Sequence, residues 1–278
     1  MADLRSPLEV PEALRAIPSC EDPRQLTEWE FAVSDYLSPH HALFTSFERY
    51  FEYRTILFQM TRQLLPAYFS KQYDTVLEVG CGFGFHLLMM RPYAKRHIGV
   101  DIPGKYEGYV QADFQSSIEQ ADYLLNKSFG FGVELLGAYP DQLGMLADDS
   151  IDFMFSWCLL EHIPELAASA REWRRVLKPG GIMFHVVPTV LNAVESLLRT
   201  NLVEEPVTMN IRRLLSGVPV PGTLVAPECH SEYISSFSQQ FDVYTGDSYA
   251  KHFLRNGFTL EANVMIRDFE NAMVFCKI

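Results

Sequence analysis

The residues best suited to chemistry lie within residues 74–85, which read DTVLEVGCGFGF. Apolar residues that favour a buried strand end in a turn with three glycines, Gly80, Gly82 and Gly84, and Glu78 places a carboxylate just before that turn. Because glycine has no side chain, the backbone of the turn can pass close to a ligand. The residues that follow, HLLMM, are predicted to form a helix whose N-terminal amides face the same ligand. The stretch therefore predicts a strand–turn–helix binding site.

A second carboxylate follows at the spacing expected of a nucleotide site. The segment from His97 to Asp101 has the pattern of a strand that ends in an acid, and an acid at this position reaches a ribose in nucleotide-binding α/β folds. The alternative interpretation of Asp101 is an ordinary helix cap or turn residue. A dinucleotide fingerprint would need a glycine at position 85, where the chain has Phe85. That mismatch counts against a nicotinamide-dependent dehydrogenase, which stays as an alternative.

The surrounding chain alternates between strand and helix patterns, which must position these residues. Residues 26–69 show helical spacing after a loose, proline-broken arm. Strands are predicted over 75–79, 97–101, 132–137, 151–157, 182–187, 259–266 and 272–277, and helices over 86–90, 116–128, 165–177 and 248–256. This alternation predicts a parallel sheet. The short connection between the last two strands allows an antiparallel pair at the sheet edge.

Three further segments occur in order along the second half of the chain. Residues 148–152 read DDSID, residues 160–163 read LEHI and residues 175–181 read RVLKPGG. Together with the E-x-G-x-G-x-G turn, they resemble the motifs of class I S-adenosylmethionine (SAM)-dependent methyltransferases of the small-molecule type. The resemblance covers residues 74–187, and its strength comes from several motifs in the same order.

The resemblance implies a fold, a cofactor and a reaction. The fold is a Rossmann-like α/β fold with a mostly parallel seven-stranded sheet, an antiparallel C-terminal strand and helices on both faces. Residues 1–70 are expected to form an N-terminal arm and helical segment, and residues 71–278 the SAM-binding domain with an insert at about 188–240. The reaction is transfer of a methyl group from S-adenosyl-L-methionine to an oxygen, nitrogen or carbon nucleophile of a small molecule. A SAM-binding regulatory protein without transferase activity is the alternative.

The resemblance also assigns cofactor contacts to positions of this chain. The methionine half of SAM is expected among Glu78 and the backbone of Gly80, Cys81, Gly82 and Gly84. Ser156 and Trp157, with Cys158 after them, end the fourth strand and are expected near the sulfonium and the acceptor, since ligands bind at the carboxyl ends of such strands.

The nucleoside half of SAM is assigned to two regions. Asp101 is expected at the ribose hydroxyls, with Ile102 beside the adenine. For the adenine edge, counting from the end of the third strand gives Ala138, whereas counting back from DDSID gives Asp141 and Gln142. We prefer Asp141 and Gln142.

A general base would assist a hydroxyl acceptor, and histidine is the usual choice. His162 is the leading candidate by position, and its alternative is a structural residue of the LEHI motif. His230 could reach the acceptor if the insert is a lid. His185, inside the fifth strand, is interpreted as an interior histidine, and Arg54 as part of a solvated or packed helix face rather than as a ligand of the SAM carboxylate.

The composition of the chain indicates which classes of binding partner and which cellular compartment to expect. The net charge of −12 argues against a nucleic-acid partner. The five cysteines are spread along the chain with no C-x-x-C pair, which favours a reducing compartment and gives no metal site. No signal peptide or membrane-length apolar run is apparent. We therefore expect a cytoplasmic protein with a small-molecule methyl acceptor, no metal and no membrane association.

Overall fold

The computed structural model describes residues 8–38, 48–104, 113–163, 165–188, 247–266 and 270–278. The predicted insert, apart from its first residue, lies outside the described residues. The candidate base His230 lies outside them as well.

Seven strands form one sheet in the order β3-β2-β1-β4-β5-β7-β6. The strands are β1 Tyr73–Val79, β2 Ala94–Asp101, β3 Glu134–Gly137, β4 Ile151–Trp157, β5 Leu177–Pro188, β6 Phe258–Ile266 and β7 Glu270–Lys277. The pairs β1–β2, β2–β3 and β4–β5 are parallel, whereas β7 runs antiparallel to both β5 and β6. The predicted fold class, including the antiparallel C-terminal strand, is confirmed.

Helices alternate with the strands in the described residues. They are α1 Glu12–Arg15, α2 Pro23–Leu37, α3 Glu48–Leu64, α4 Phe85–Met90, α5 Ser117–Asp122, α6 Leu166–Val176 and α7 Asp247–Leu254. A π-helical turn, Tyr123–Ser128, continues α5. Within the part of the chain that the structure describes, no helix combines the length and apolar character that a membrane crossing requires.

Local sequence signals explain where two of these helices begin. Asp22 accepts a hydrogen bond from the Gln25 amide at 3.2 Å, and Pro23 takes the first helical position of α2. Ser116 accepts a hydrogen bond from the Glu119 amide at 3.1 Å and so caps α5. In both cases the cap satisfies an amide that has no partner inside its helix.

The N-terminal arm is more ordered than its prolines predict. The short helix α1 lies inside the segment that we expected to be loose. Two side chains of α2 hold this segment: the Trp29 indole donates to the Leu14 carbonyl at 2.8 Å, and the Tyr36 hydroxyl donates to the Glu9 carbonyl at 2.9 Å. These contacts are made by aromatic residues far along the chain, which is why proline content alone misses them.

The chain divides into two compact units, Met1–Tyr139 and Pro140–Ile278. Aromatic side chains of α3 pack on α4 and on the residue before β2 in the first unit, as in the Phe51–Phe85 and Phe58–Tyr93 pairs. Phe51 and Phe58 are therefore core residues.

Two of the recognised motifs are joined by ion pairs in the second unit. Arg175 of RVLKPGG pairs with Asp148 of DDSID, and Lys178 pairs with Asp152. Arg175 also donates to the carbonyl groups of Leu143 and Leu146. The Lys178–Gly181 segment, predicted as a break between α6 and the next strand, belongs to β5, whose pairing with β4 shifts register between Ile151 and Phe153. These motif residues therefore hold the loop before β4 and the start of β5.

Candidate active site

The glycine turn after β1 is held by backbone hydrogen bonds from the neighbouring strand β2. The Gly80 and Cys81 amides both donate to the Val100 carbonyl, at 2.7 and 3.0 Å. The φ angles of Gly80, Gly82 and Gly84 are 75°, 52° and 78°. Other residues rarely adopt this left-handed region. The three glycines therefore fix the path of the turn, as the sequence predicted.

A side chain at Gly84 would also lack space. A Cβ atom there would lie 2.3 Å from Cδ1 of Leu125, which is fully buried. The absence of a side chain lets the start of α4 pack closely against the helical segment that contains Leu125. The glycine is thus required twice, for backbone conformation and for helix packing.

Asp101 joins the end of β2 to this turn. Its Oδ2 accepts a hydrogen bond from the Gly82 amide at 2.6 Å, and its Oδ1 accepts one from the Ile102 amide at 2.7 Å. The Asp101 carbonyl in turn accepts from the Ala138 amide at 2.9 Å, just after β3. Each carboxylate oxygen has a second lone pair that can accept a ribose hydroxyl. The arrangement brings Asp101, Ile102 and the turn together, with Ala138 beside them.

Glu78 is completely buried directly before the turn. Its Oε1 lies 3.1 Å from Nδ1 of His86, and its Oε2 has no hydrogen-bond partner among the described residues. Burial raises the pKa of Glu78 well above its usual value, and the nearby Asp101 charge raises it further, whereas the Arg54 guanidinium opposes the shift. Glu78 is therefore a carboxyl group that a nearby cation would drive towards ionisation.

Sequence reasoning missed His86 in this region, and it interpreted Arg54 as part of a solvated or packed helix face. Burial and the Arg54 charge both hold the pKa of His86 well below its usual range, so its imidazole is neutral at physiological pH. The position of His86 two residues after Gly84 was a usable signal, because a side chain in the first turn of α4 must lie close to β1. Arg54 was set aside because a charged residue on a helix is usually solvated, whereas in the structure its charge acts on Glu78 and His86.

In the second unit, the residue that follows β4 has an unusual backbone conformation. Cys158 has a φ of 51°, which is uncommon for any residue other than glycine. Its amide donates to the Val186 carbonyl of β5 at 2.8 Å. The preceding Trp157 is buried, and its indole Nε1 donates to the carboxylate of Glu270 at 3.2 Å. Glu270, which is also buried, is a residue of this strand end that sequence reasoning missed.

The side chain of Ser156 faces the interior of this unit. Its hydroxyl lies 2.7 Å from Nδ1 of His185, and both residues are completely buried. The His185 ring packs against both Trp173 and Phe253, at centroid distances of 5.1 and 5.3 Å. Burial lowers the pKa of His185 to about 3, so it is neutral. The interpretation of His185 as an interior histidine is confirmed, and the predicted contact of Ser156 with SAM stays a prediction.

His162 ends the short 3₁₀ turn Leu160–His162 that follows β4. Its side chain keeps 37% of its surface exposed, and its Nε2 lies 3.9 Å from Oε1 of the buried Glu161. Partial burial lowers the pKa of His162, and contact with water limits that shift. A neutral, half-exposed imidazole can accept a proton, so the general-base role stays a prediction.

The two residues preferred for the adenine edge follow β3 in the second unit. Asp141 is partly exposed and Gln142 is exposed, just before the buried Leu143. Ala138, the other candidate position, is buried beside Asp101. The adenine contacts stay predictions.

The first-unit residues fit SAM on chemical grounds. SAM carries a positive sulfonium and a positive ammonium group, and this region contains two buried carboxyl groups, Glu78 and Asp101. Buried carboxylates are costly without a partner, and a cationic ligand supplies one. Glu78, Asp101 and the amides of the turn are therefore the residues that would hold the cofactor.

Comparison with known proteins agrees with this geometry. A sequence profile described as a methyltransferase domain matches residues 77–185. No protein of curated function matches the chain in sequence.

Among solved structures, the chain is similar to the PH0226 protein from Pyrococcus horikoshii OT3, with 22% identity and a TM-score of 0.55 over 82% of this chain and 92% of that chain. It is similar to the cyclase SpnF, with 15% identity and a TM-score of 0.50 over 79% of this chain and 80% of that chain. A SAM-dependent methyltransferase from Aquifex aeolicus matches with 16% identity and a TM-score of 0.47 over 78% of this chain and 89% of that chain. The first two likenesses establish the fold.

Proposed function

We propose that this chain, whose residues 77–185 match a methyltransferase domain, is a class I SAM-dependent methyltransferase whose methyl acceptor is a small molecule with an oxygen, nitrogen or carbon nucleophile. The assignment of SAM as the cofactor rests on the hydrogen bond between the Gly82 amide of the glycine turn and Asp101, together with the buried Glu78 just before the turn. The acidic composition of the chain, with a net charge of −12, supports a small molecule over a nucleic acid. The five cysteines are spread along the chain with no C-x-x-C pair, which supports a reducing compartment and hence a cytoplasmic location.

The residues of the chain act mainly by binding and orientation. When bound, SAM supplies a methyl group on a positively charged sulfur, which a nucleophile can displace in line. Asp101 would hold the ribose hydroxyls, and the backbone of the turn would fix the methionine half. Positioning alone lowers such a barrier by several kcal/mol, so an acceptor that is already nucleophilic needs no catalytic residue.

A hydroxyl acceptor would need a group that removes its proton. His162 is proposed for that role because it follows β4 and is neutral, so its imidazole can accept a proton. His230 is the second proposed base. Asp141 and Gln142 are proposed at the adenine edge, and Ser156 and Trp157 near the sulfonium.

The direct test is a methyl-transfer screen with SAM labelled on its methyl group against fractionated metabolite extract. We expect label in a small-molecule product in the presence of the full-length protein, and none with heat-inactivated protein. A parallel titration with SAM and with NAD separates the alternatives. SAM binding without transfer to any fraction would favour a regulatory protein, and NAD binding without SAM binding would contradict the proposal.

The pH dependence of SAM binding gives an independent prediction. Because the pKa of Glu78 is raised well above 4.5 and SAM is cationic, binding should favour the ionised carboxylate and release a proton. SAM affinity should therefore rise as pH increases from 4.5 towards that raised pKa, by up to about tenfold per pH unit. Above the raised pKa the rise should stop. Calorimetric titration in buffers of different ionisation enthalpy measures both the affinity and the proton release.

The matched variants for this prediction are Glu78→Gln and Glu134→Gln. The first removes the titrating group, so its affinity should lose most of the dependence on pH. The second changes a carboxylate of β3 that is exposed and paired with Arg96, so it should keep the wild-type slope. Equal slopes in wild type and Glu78→Gln would show that Glu78 does not titrate on binding.

A further inference from the structure

Glu270 occupies a buried position at the edge of the sheet where β4 and β5 end. It is the first residue of β7, and it pairs with Pro188, the last residue of β5. Because β5 runs parallel to β4, the end of β5 lies at the same sheet edge as Trp157, the last residue of β4. Only 1% of Glu270 is exposed. The carboxylate therefore lies at the carboxyl edge, where ligands of this sheet type bind.

This carboxylate contacts two consecutive residues of the chain that leaves β4. Its Oε2 accepts a hydrogen bond from Trp157 Nε1 at 3.2 Å, and its Oε1 lies 4.0 Å from Sγ of Cys158. Consecutive side chains of a strand point to opposite faces of the sheet. The left-handed backbone of Cys158, with a φ of 51°, breaks this alternation, so both side chains reach the same carboxylate.

The contact with Cys158 determines the direction of the segment that follows. A cysteine rarely adopts a left-handed conformation unless its surroundings hold it there. In this structure the Val186 carbonyl holds the amide of Cys158 and the Glu270 carboxylate holds its thiol. The next residues, up to His162, form the turn that contains the proposed base. A change at Cys158 would therefore change where Trp157 and His162 lie.

Packing alone does not explain a carboxylate at this position. Burying a carboxyl group is costly, and an apolar side chain of similar volume usually serves stability as well or better. A carboxylate, however, can accept from an indole N–H and a thiol at the same time. Glu270 thus supplies something that an apolar residue cannot.

We propose that Glu270 is a positioning residue of the acceptor end of the site, where it fixes Trp157 and the left-handed Cys158. The expected effect of Glu270 on methyl transfer rests on the proposed function. Its expected effect on Trp157 and Cys158 does not. Glu270 acts through these two residues and not by contact with the acceptor. Its loss should therefore lower turnover while SAM binding at the glycine turn is kept.

The test compares Glu270→Gln with Glu261→Gln in the full-length protein. Gln keeps an oxygen acceptor for the indole but replaces the carboxyl oxygen beside the thiol with an amide NH₂ group. Glu261 is an exposed carboxylate of β6, so its variant should behave as wild type. Three quantities are measured: alkylation of Cys158 by iodoacetamide, followed by mass spectrometry of the peptide; SAM affinity by calorimetry; and methyl transfer to the most active extract fraction.

In Glu270→Gln we expect alkylation of Cys158 to become about 3- to 10-fold faster, because an amide N–H beside the sulfur favours the reactive thiolate more than a carboxyl oxygen does. Methyl transfer should fall about tenfold or more, as positioning effects commonly do, and SAM affinity should change by less than about twofold. Unchanged alkylation would show that Glu270 does not contact the Cys158 thiol. Faster alkylation with unchanged methyl transfer would show that the contact does not position the site for transfer. If wild type transfers no methyl group to any fraction, the proposed function fails, whereas the alkylation result still decides the contact.

A second variant separates positioning from a general loss of stability. Glycine adopts a left-handed conformation without strain, so Cys158→Gly should keep the path of the chain without help from the carboxylate. Glu270→Gln should therefore reduce transfer much less in the Cys158→Gly background than in wild type. Equal losses in both backgrounds would contradict the mechanism.

Discussion

Replacement of Arg62 with methionine is expected to lower the free energy of unfolding by about 3–5 kcal/mol, because it leaves a buried carboxyl group without its cation. Arg62 of α3 is buried in the first unit. Its Nη1 donates to Glu30 Oε1 at 3.3 Å and to the Tyr93 hydroxyl at 3.0 Å, and its Nη2 donates to Thr27 Oγ1 at 2.5 Å and to the Pro23 carbonyl at 3.3 Å. One guanidinium thus joins α2, α3 and the residue before β2. Urea unfolding of the variant and of wild type measures the difference.

The effect of this substitution should increase with pH above about 7. Burial raises the pKa of Glu30 to about 7 even though Arg62 lowers it. A carboxyl group with a raised pKa binds more protons in the folded state, so stability falls as pH rises from 4.5 to about 7 and then levels off. Without Arg62 the pKa rises further, and the variant continues to lose stability, by up to about 1.4 kcal/mol per pH unit.

Two comparisons make the Arg62 result specific. Arg24→Met removes the exposed Arg24–Glu28 ion pair one turn apart on α2 and should change stability by less than about 1 kcal/mol. The double variant Arg62→Met with Glu30→Met should recover most of the loss, since apolar residues often replace a buried ion pair without cost. A single-variant loss as small as that of Arg24→Met would show that the buried network contributes little.

Patterns that repeat along the chain predicted the fold well. The strand β4 has the predicted bounds, Ile151–Trp157, because a continuous apolar run between turn residues fits a buried parallel strand. The antiparallel β6–β7 pair followed from its short connection. The glycine turn and Asp101 were predictable because each position has a strict backbone or charge requirement. In the structure, the hydrogen bond from the Gly82 amide to the Asp101 carboxylate joins these two features.

The parts that the sequence did not predict depend on single contacts between distant residues. Arg62 has the sequence pattern of a surface residue, and only the folded chain shows that Glu30, 32 positions earlier, meets it inside the protein. Glu270 is 113 positions from Trp157, and no periodicity relates the two. Asp148 and Arg175 were recognised as motif residues, but only the structure shows that their ion pair ties α6 to the loop before β4. Periodic patterns report which face is buried, and they do not report which polar groups meet there.

Replacement of Asp101 with alanine should weaken SAM binding by about 1–3 kcal/mol, which is a factor of about 5 to 150 in the dissociation constant. The carboxylate is the group proposed to accept the ribose hydroxyls, and hydrogen bonds to a charged group are stronger than neutral ones. It also accepts the Gly82 and Ile102 amides, so its loss leaves two backbone donors of the turn without their partner. Both effects act on the same ligand site, which is why this substitution should weaken binding clearly.

The expected loss can be separated from general destabilisation by two further variants. Asp101→Asn keeps one oxygen acceptor but removes the charge, so its affinity should lie between those of wild type and Asp101→Ala. Asp74→Ala removes an exposed carboxylate near the other end of β1, where it pairs with Lys95, and should leave SAM affinity within about twofold of wild type. Calorimetry should be done at temperatures where unfolding curves show each variant to be folded. If Asp101→Ala is folded and binds SAM as tightly as Asp74→Ala does, then Asp101 does not hold the ribose and serves only to tie the glycine turn to β2.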